Sequence, residues 1–443
     1  MPPRRPLTRS ASVVARAIST SLVPLLCLGL LLPLLTSCGD SEAKDLPETA
    51  RALRDQRLID AQLAFERGQP GAARALLEQA TEVDPVDRAV LEARLALAEG
   101  SPVNCLAALE QAKRDWPKDA RIYATQSEVF AVMQRLGGAE ESMLKGLEMA
   151  GEGAELCRAR AVIALSVAGG GEIALEFLKR AYELDPNLPY TGQATAQAHL
   201  LVGRMMIAGN SPEKALEHAQ AAQTWEPLGQ DYRDLEAEAL AGLLRYDEAL
   251  AIYAELDLEG YPLGLKRALL NQQAATAALV LSNRDAAVSH YLAARAQGLP
   301  DRELGFGVNV LQEESRAATE RGIVHYQGTQ LNEALIAFER ALELDPNNLS
   351  ARNQLGVVHF RLGDSERAAR AWEIVLKDAA RQEITLPEPV HLNLARALYL
   401  NGDVEAARSA CDHYVFDNPE GEWVTDTRMF LVDLETSELR QDQ

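Results

Sequence analysis

At 443 residues the chain is longer than one hydrophobic core supports, a limit near roughly 250–300 residues, so it divides into domains or it repeats. Its 44 Lys+Arg against 65 Asp+Glu give a net charge of -21, the wrong sign for a surface that neutralises phosphates, which excludes DNA and RNA as expected partners. Apolar residues reach 47% while aromatics are only 5%, a mixture that suits closely packed helices and argues against disorder and against a β-sandwich.

The first element is an address. Arg4, Arg5, Arg9 and Arg16 precede an apolar run from Leu22 to Leu35, and small residues follow, the order of a charged region, a hydrophobic region and a cleavage site. Leu35-Thr36-Ser37-Cys38 resembles the lipobox of bacterial lipoproteins. The resemblance implies a signal peptide over 1–37, diacylation of Cys38, and a lipidated tether over 38–53. Two or more acyl chains anchor a protein stably to a membrane without spanning it. An uncleaved transmembrane helix is the alternative, but Pro24, Gly29 and Pro33 interrupt a run already short of about 20 residues. Gly39 rather than Asp follows the cysteine, which under lipoprotein sorting implies the outer membrane, facing the periplasm. Removing the leader removes four arginines and no acids, so the net charge deepens from -21 to -25.

A repeat then runs through the chain. Residues 179–187 read KRAYELDPN and residues 339–347 read ERALELDPN; in each, the residue before Pro is pushed from the α region and the ring ends the helix. In chain order, small or large apolar residues recur in one frame. The units carry Gly68, Ala73 and Leu77; Gly100, Cys105 and Leu109; Ala139 and Met143; Ala174 and Leu178; and Gly203, Ala215 and Ala219. Then come Ala249 and Tyr253; Ala287 and Tyr291; Ala318, Gly322, Ala334 and Phe338; Leu355, Gly356, Ala368 and Trp372; and Leu394, Ala395 and Ala407. A small residue at the eighth and twentieth positions lets two helices approach closely, and a large one at the twenty-fourth fills the gap to the next unit. This pattern, with Pro346 and Pro419 closing units, resembles the tetratricopeptide repeat family. The resemblance implies an all-α fold, a right-handed α-solenoid of about ten helical hairpins between residues 54 and 423, in which stacked neighbours bury each other's apolar faces.

Two places punctuate the array. Residues 187–195, with Asn187, Pro189 and Gly192, form a short interruption, and residues 301–314, beginning Asp301-Arg302-Glu303-Leu304-Gly305-Phe306-Gly307, read as a breaker-rich joint. The expected organisation is an N-terminal array over 54–300, the joint at 301–314, a C-terminal array over 315–423, and a cap helix with tail over 424–443.

Reactive constellations are absent from the sequence. No H-E-x-x-H, C-x-x-C, P-loop, G-x-S-x-G or G-x-G-x-x-G occurs, and Ser142-Met143-Leu144-Lys145 lacks the companion motifs that its S-x-x-K spacing needs. His325, His359 and His391 fall at ring positions of the repeat, too far apart to share an ion at roughly 2 Å. Cys105, Cys157 and Cys411 are an odd number, widely separated and apolar-flanked, and read as buried packing residues. The chain is expected to be no enzyme and to need no cofactor and no metal.

What remains is a binding surface. In the tetratricopeptide family the concave groove is lined from the second, fifth, ninth and twelfth positions. Here these are Arg316, Thr319, Ile323 and Tyr326; Ser350, Asn353, Val357 and Phe360; and Leu392, Arg396 and Tyr399. Tyr326, Phe360 and Tyr399 would form an aromatic ladder with arginines between its rungs and Arg361 beside it, side chains that often anchor binding. The alternative is that the ladder is packing. N-terminal counterparts Asp55, Leu58, Gln62, Phe65, Asp231, Asp234 and Glu238 are more acidic. The expectation is a membrane-anchored scaffold for a peptide or protein partner. A structural spacer or oligomerisation module, or an accessory to an envelope or carbohydrate-processing enzyme, are the alternatives.

Overall fold

The computed structural model describes residues 56–80, 83–227, 229–384 and 389–441. The leader, Cys38 and the tether lie outside the described residues. Within them every regular element is a helix, and no helix is long and apolar enough to cross a membrane.

Two compact units divide after Leu263. The first holds α1 (Gln56–Glu66), α2 (Pro70–Gln79), α3 (Pro85–Ala98), α4 (Pro102–Asp115), α5 (Ala120–Val132) and α6 (Leu136–Ala150). It continues with α7 (Ala154–Leu165), α8 (Gly171–Leu184), α9 (Thr191–Ala208), α10 (Pro212–Trp225), α11 (Gln230–Gly242) and α12 (Tyr246–Leu258). The second holds α13 (Lys266–Val280), α14 (Arg284–Ala296), the one-turn α15 (Asp301–Leu304), α16 (Phe306–Gln327) and α17 (Leu331–Leu344). It ends with α18 (Leu349–Arg361), α19 (Ser365–Gln382), α20 (Pro389–Leu400), α21 (Val404–Asp417) and α22 (Val424–Gln441). Setting α15 and α22 aside, consecutive helices pair into ten hairpins joined by short turns, which makes the partners antiparallel neighbours. This is the all-α solenoid that the repeat frame implied.

Each hairpin turns in the same way. One residue of every intra-hairpin turn has a left-handed backbone: Gly68, Gly100, Gln134, Gly169, Asn210, Leu244, Ser282, Thr329, Gly363 and Gly402. In nine of these turns the following N–H reaches back to a carbonyl five residues earlier, as Asp364 does to His359 at 2.9 Å and Asp403 to Leu398 at 3.0 Å. That closure satisfies the carbonyls left open at a helix end. The side chains then decide the packing. The residue at the twentieth position is wholly buried in all ten hairpins, from Ala73 and Cys105 to Ala368 and Ala407. Large residues opposite the small eighth position fit without spare room: a Cβ on Gly322 would stand 2.6 Å from the Phe338 ring, and one on Gly356 2.7 Å from the Trp372 indole. Trp372 is 1% exposed and Phe338 wholly buried.

Between hairpins, the Asp-Pro-Asn turns end helices in extended backbone at Asp185 and Asp345. Asp345 accepts the Asn347 N–H at 3.0 Å. Asn348 then caps α18 by accepting the Ala351 N–H at 2.9 Å, while its amide donates to Ser315 and Thr319 on α16. One side chain thus starts a helix and fastens it to the preceding hairpin.

The joint expected at 301–314 is instead helical and packed. After the turn of α15, Gly305 (φ 57°) redirects the chain and α16 begins at Phe306. A Cβ on Gly307 would lie 2.4 Å from the Tyr291 ring, and Leu304, Val310 and Leu311 belong to the same core as Ala287 and Tyr291. Of the two glycines that read as breakers, Gly305 redirects the chain and Gly307 permits close packing. The boundary between compact units falls earlier, in the connection after α12 where Gly260 and Gly264 have φ values of 76° and 57°.

All three described cysteines are buried and unpaired with one another, and burial pushes the thiols of Cys105 and Cys411 up to about 11.

Two substitutions test the turn and the close approach separately. Gly356→Ala should destabilise the chain by about 1–3 kcal/mol, because a methyl group forces the indole to move. Leu244, 70% exposed, holds a left-handed backbone that suits glycine. Leu244→Gly should therefore stabilise by about 0.5–1 kcal/mol. Urea unfolding followed by circular dichroism reads both signs.

Candidate functional site

The first helices of the last three hairpins, α16, α18 and α20, carry the residues singled out for the groove. Three of their arginines, Arg316, Arg361 and Arg396, are exposed and make no ion pair or hydrogen bond among the described residues. Three guanidinium groups, each with five donors in a planar fork, are therefore available to an external carboxylate. Asn353 faces inward, its Oδ1 accepting from the Trp372 indole N–H at 2.9 Å. This amide is part of the hairpin's core contact.

The three rings are not stacked on one another. Phe360 is half-buried and lies 6.0 Å from the Trp372 ring, Tyr326 is half-buried against the core of Phe338 and Val358, and Tyr399 meets Phe430 of α22 edge-on at 5.8 Å. Each ring is supported from behind by its own hairpin or by the cap helix. Of the neighbouring positions, Thr319 and Leu392 are buried, Ile323 and Val357 half-buried, and Ser350 exposed.

The histidines have separate surroundings. His325 Nδ1 is 2.8 Å from Gln330 Oε1, His359 is buried, and His391 packs on Tyr414 with ring centroids 5.8 Å apart. Burial lowers the affinity of His359 and His391 for a proton. Among the described residues no group of three or more His, Cys, Asp or Glu side chains could hold a metal ion. Beside His391, a cavity of about 490 Å³ is lined by Leu376, Leu394, Leu398, Ser409, His413 and Asp417.

The N-terminal unit differs. Leu58 and Gln62 are buried, and the acidic positions farther along are engaged from within: the Tyr261 hydroxyl lies 2.8 Å from Asp231 Oδ1 and 3.2 Å from Asp234 Oδ2. Here the sequence pattern missed a constellation. Half-buried Arg94 on α3 and buried Glu128 on α5 and Arg158 on α7 form a chain of charges in which Arg94 Nη2 donates to Glu128 Oε2 and Arg158 Nε donates to Glu128 Oε1 at 2.8 Å. Burial pushes the Glu128 carboxyl up, but Arg158 and Arg94 outweigh it and hold the group below the ordinary carboxylate range.

Against these charges lies Tyr190, from the turn between α8 and α9. The Arg94 guanidinium is 4.1 Å from the ring centroid, that of Arg158 5.6 Å, and Phe65 of α1 meets the ring edge-on at 5.8 Å. Phe65, Arg94 and Arg158 come from three first helices, α1, α3 and α7. Tyr190 accordingly packs across the first helices of the N-terminal hairpins. It does so under two penalties. Its φ is 64°, and its buried hydroxyl has no hydrogen-bond partner among the described residues, costs of about 1–3 kcal/mol each. A usable signal existed in the sequence: Arg94 and Glu128 are opposite charges 34 residues apart, one repeat length.

Comparisons with known proteins place the C-terminal hairpins. A TPR repeat family model matches residues 322–363 and a tetratricopeptide repeat model matches residues 353–422. No curated protein matches the chain. Among solved structures, Pseudomonas aeruginosa pilF is 18% identical with a TM-score of 0.36, over 50% of this chain and 95% of that one. A tetratricopeptide repeat protein from Parabacteroides merdae is 16% identical with a TM-score of 0.28, over 62% and 98%. The TPR2AB domain of yeast Sti1, solved in a pHSP90 complex, is 12% identical with a TM-score of 0.27, over 55% and 99%. Together the two family models match residues 322–422, the stretch that holds most of the last three hairpins.

Proposed function

We propose that the chain is a non-catalytic scaffold of the bacterial cell envelope. It is held by lipid on Cys38, on the outer membrane and facing the periplasm, and it binds a peptide or protein partner through the first helices of its last three hairpins. The lipobox-like Leu35-Thr36-Ser37-Cys38 supports the anchor. Tetratricopeptide repeats generally mediate protein–protein interaction, which supports the partner class.

One observation carries the reading of the surface: Arg316, Arg361 and Arg396 are exposed and have no ion pair or hydrogen bond among the described residues, in a chain whose net charge is -21. An acidic protein has carboxylates in excess, and leaving three guanidinium groups without one reserves them for an external group. Rings supported from behind at Tyr326, Phe360 and Tyr399 supply apolar contact area beside them. The partner is a segment that presents carboxylates near apolar side chains. Charge-assisted bonds from arginine to carboxylate give such contacts their strength and geometry.

The triple variant Arg316→Glu, Arg361→Glu, Arg396→Glu leaves every core contact in place. Photocrosslinking in intact cells from a probe at position 316, 361 or 396, followed by mass spectrometry, should capture a defined partner with the native chain. With the triple variant its yield should fall about tenfold or more, at unchanged Tm. Equal yields would overturn the groove assignment. For the anchor, Cys38→Ser should move the protein from the membrane pellet to the soluble fraction after osmotic shock; retention in the pellet would mean that the leader remains as an uncleaved helix.

A further inference from the structure

Within the interruption that the sequence places at 187–195, the turn between α8 and α9 lays Tyr190 across the first helices α1, α3 and α7. Pro186 and Pro189 stiffen the approach, Leu188 is buried beside Cys157 and Ala181, and the Thr191 hydroxyl closes the turn on the Leu188 carbonyl at 2.9 Å. Of the peptide group that links Pro189 to Tyr190, both polar atoms are taken: the carbonyl accepts from Arg158 Nη1, and the N–H donates to Glu66 Oε1 on α1. The side chain that follows enters a cage of two guanidinium groups and a phenyl ring. Glu128 accepts from both guanidinium groups and so holds them in place beside the ring, while Arg158 also bonds the segment's own carbonyl. One backbone peptide held at both ends and one aromatic side chain in a pocket is how a groove recognises an extended segment.

Two features separate this turn from ordinary packing. Five of the seven described non-glycine residues with a left-handed backbone sit in intra-hairpin turns, where the solenoid requires that conformation; Tyr190 does not. Its hydroxyl is also unsatisfied although the residue is only 7% exposed. The cage reads the ring and disregards the hydroxyl, so phenylalanine fits as well as tyrosine.

We infer that residues 187–191 are an intramolecular ligand, and that the cage on α1, α3 and α7 is a receptor for an extended segment bearing a tyrosine or phenylalanine, which a partner occupies by displacing the Tyr190 turn. The tethered turn has an effective concentration in the millimolar range or above, so a free peptide competes poorly until the turn is weakened. This site is independent of the arginines of α16, α18 and α20.

The probe is a fluorescently labelled peptide copying residues 187–192, Asn-Leu-Pro-Tyr-Thr-Gly, titrated against the full chain. Tyr190→Ala should bind it about tenfold or more tightly than the native chain. Tyr190→Gly, which empties the cage and suits the left-handed backbone, should do the same, while Tyr190→Phe should behave as native. Adding Glu66→Ala to Tyr190→Ala should weaken binding about fivefold or more, since it removes the acceptor for the backbone N–H. Replacing the peptide's tyrosine by alanine should abolish binding. Folded Tyr190→Ala and Tyr190→Gly proteins that bind no better than native would overturn the inference, as would binding insensitive to Glu66 or to the peptide's ring. Failure of both variants to fold cooperatively would overturn it too, because a displaceable ligand is not required for the fold. Charge reversal at Arg316, Arg361 and Arg396 should leave these titrations unchanged, which separates the two sites.

Discussion

The contact between a helix backbone and a ring sets the geometry of the C-terminal hairpins. Where Gly356 faces Trp372 and Gly322 faces Phe338, a missing Cβ lets the ring lie on the opposite helix, and the two helices can come no closer and need be no farther apart. Stacking follows from that spacing, since each hairpin then offers the same apolar profile to the next. The contact also reaches the surface: Asn353 orients the Trp372 indole, so a residue on the groove-bearing helix is committed to the core, and Phe360 is held half-buried by the same indole. Partner-facing positions in these hairpins are consequently the ones the ring does not recruit, chiefly the arginines.

The two units put arginine to opposite uses. In the N-terminal unit Arg94 and Arg158 are withdrawn from water and share Glu128, and Arg121 on α5 reaches Asp87 of α3 at 2.9 Å across one repeat length. Buried pairs of this kind gain little net stability over apolar packing, because desolvation offsets their attraction; what they fix is geometry, since removing one member strands the other. Arg316, Arg361 and Arg396 on α16, α18 and α20 have no such partners among the described residues and are exposed to water. Arginines on the first helices therefore build a cage in one unit and an exposed charged surface in the other.

The hairpins were legible because their determinants are local and periodic. Ala73, Ala174, Ala287 and Ala368 fall at the buried twentieth position that the spacing assigned them, and Asp345 and Asn348 cap and turn as their side chains dictate. Residues 301–314 were misread because glycine has two uses: Gly307 marks a close approach to Tyr291, not a flexible connection, and only the identity of the facing residue distinguishes the cases. Tyr190 was illegible for a different reason. It meets Glu66 from 124 residues away, a distance that no repeat period encodes, although the pairing of Arg94 with Glu128 at 34 residues was open to the same periodic reading that found the alanines.

The charge of the chain constrains how a carboxylate-bearing partner would approach the C-terminal face. A net charge of -21 repels such a segment from afar, yet the repulsion is screened beyond about 8 Å at physiological ionic strength. Inside that distance a segment meets the exposed guanidinium groups of Arg316, Arg361 and Arg396 directly. Encounter then gains nothing from long-range steering, and recognition depends on contact: the segment must place its carboxylates against particular guanidinium forks while its apolar groups meet Tyr326, Phe360 and Tyr399. A highly acidic polymer without that spacing is repelled by the surrounding surface and finds too few arginines to compensate. Background acidity around a small basic face thus acts against the wrong acidic ligands, which a uniformly basic groove would accept.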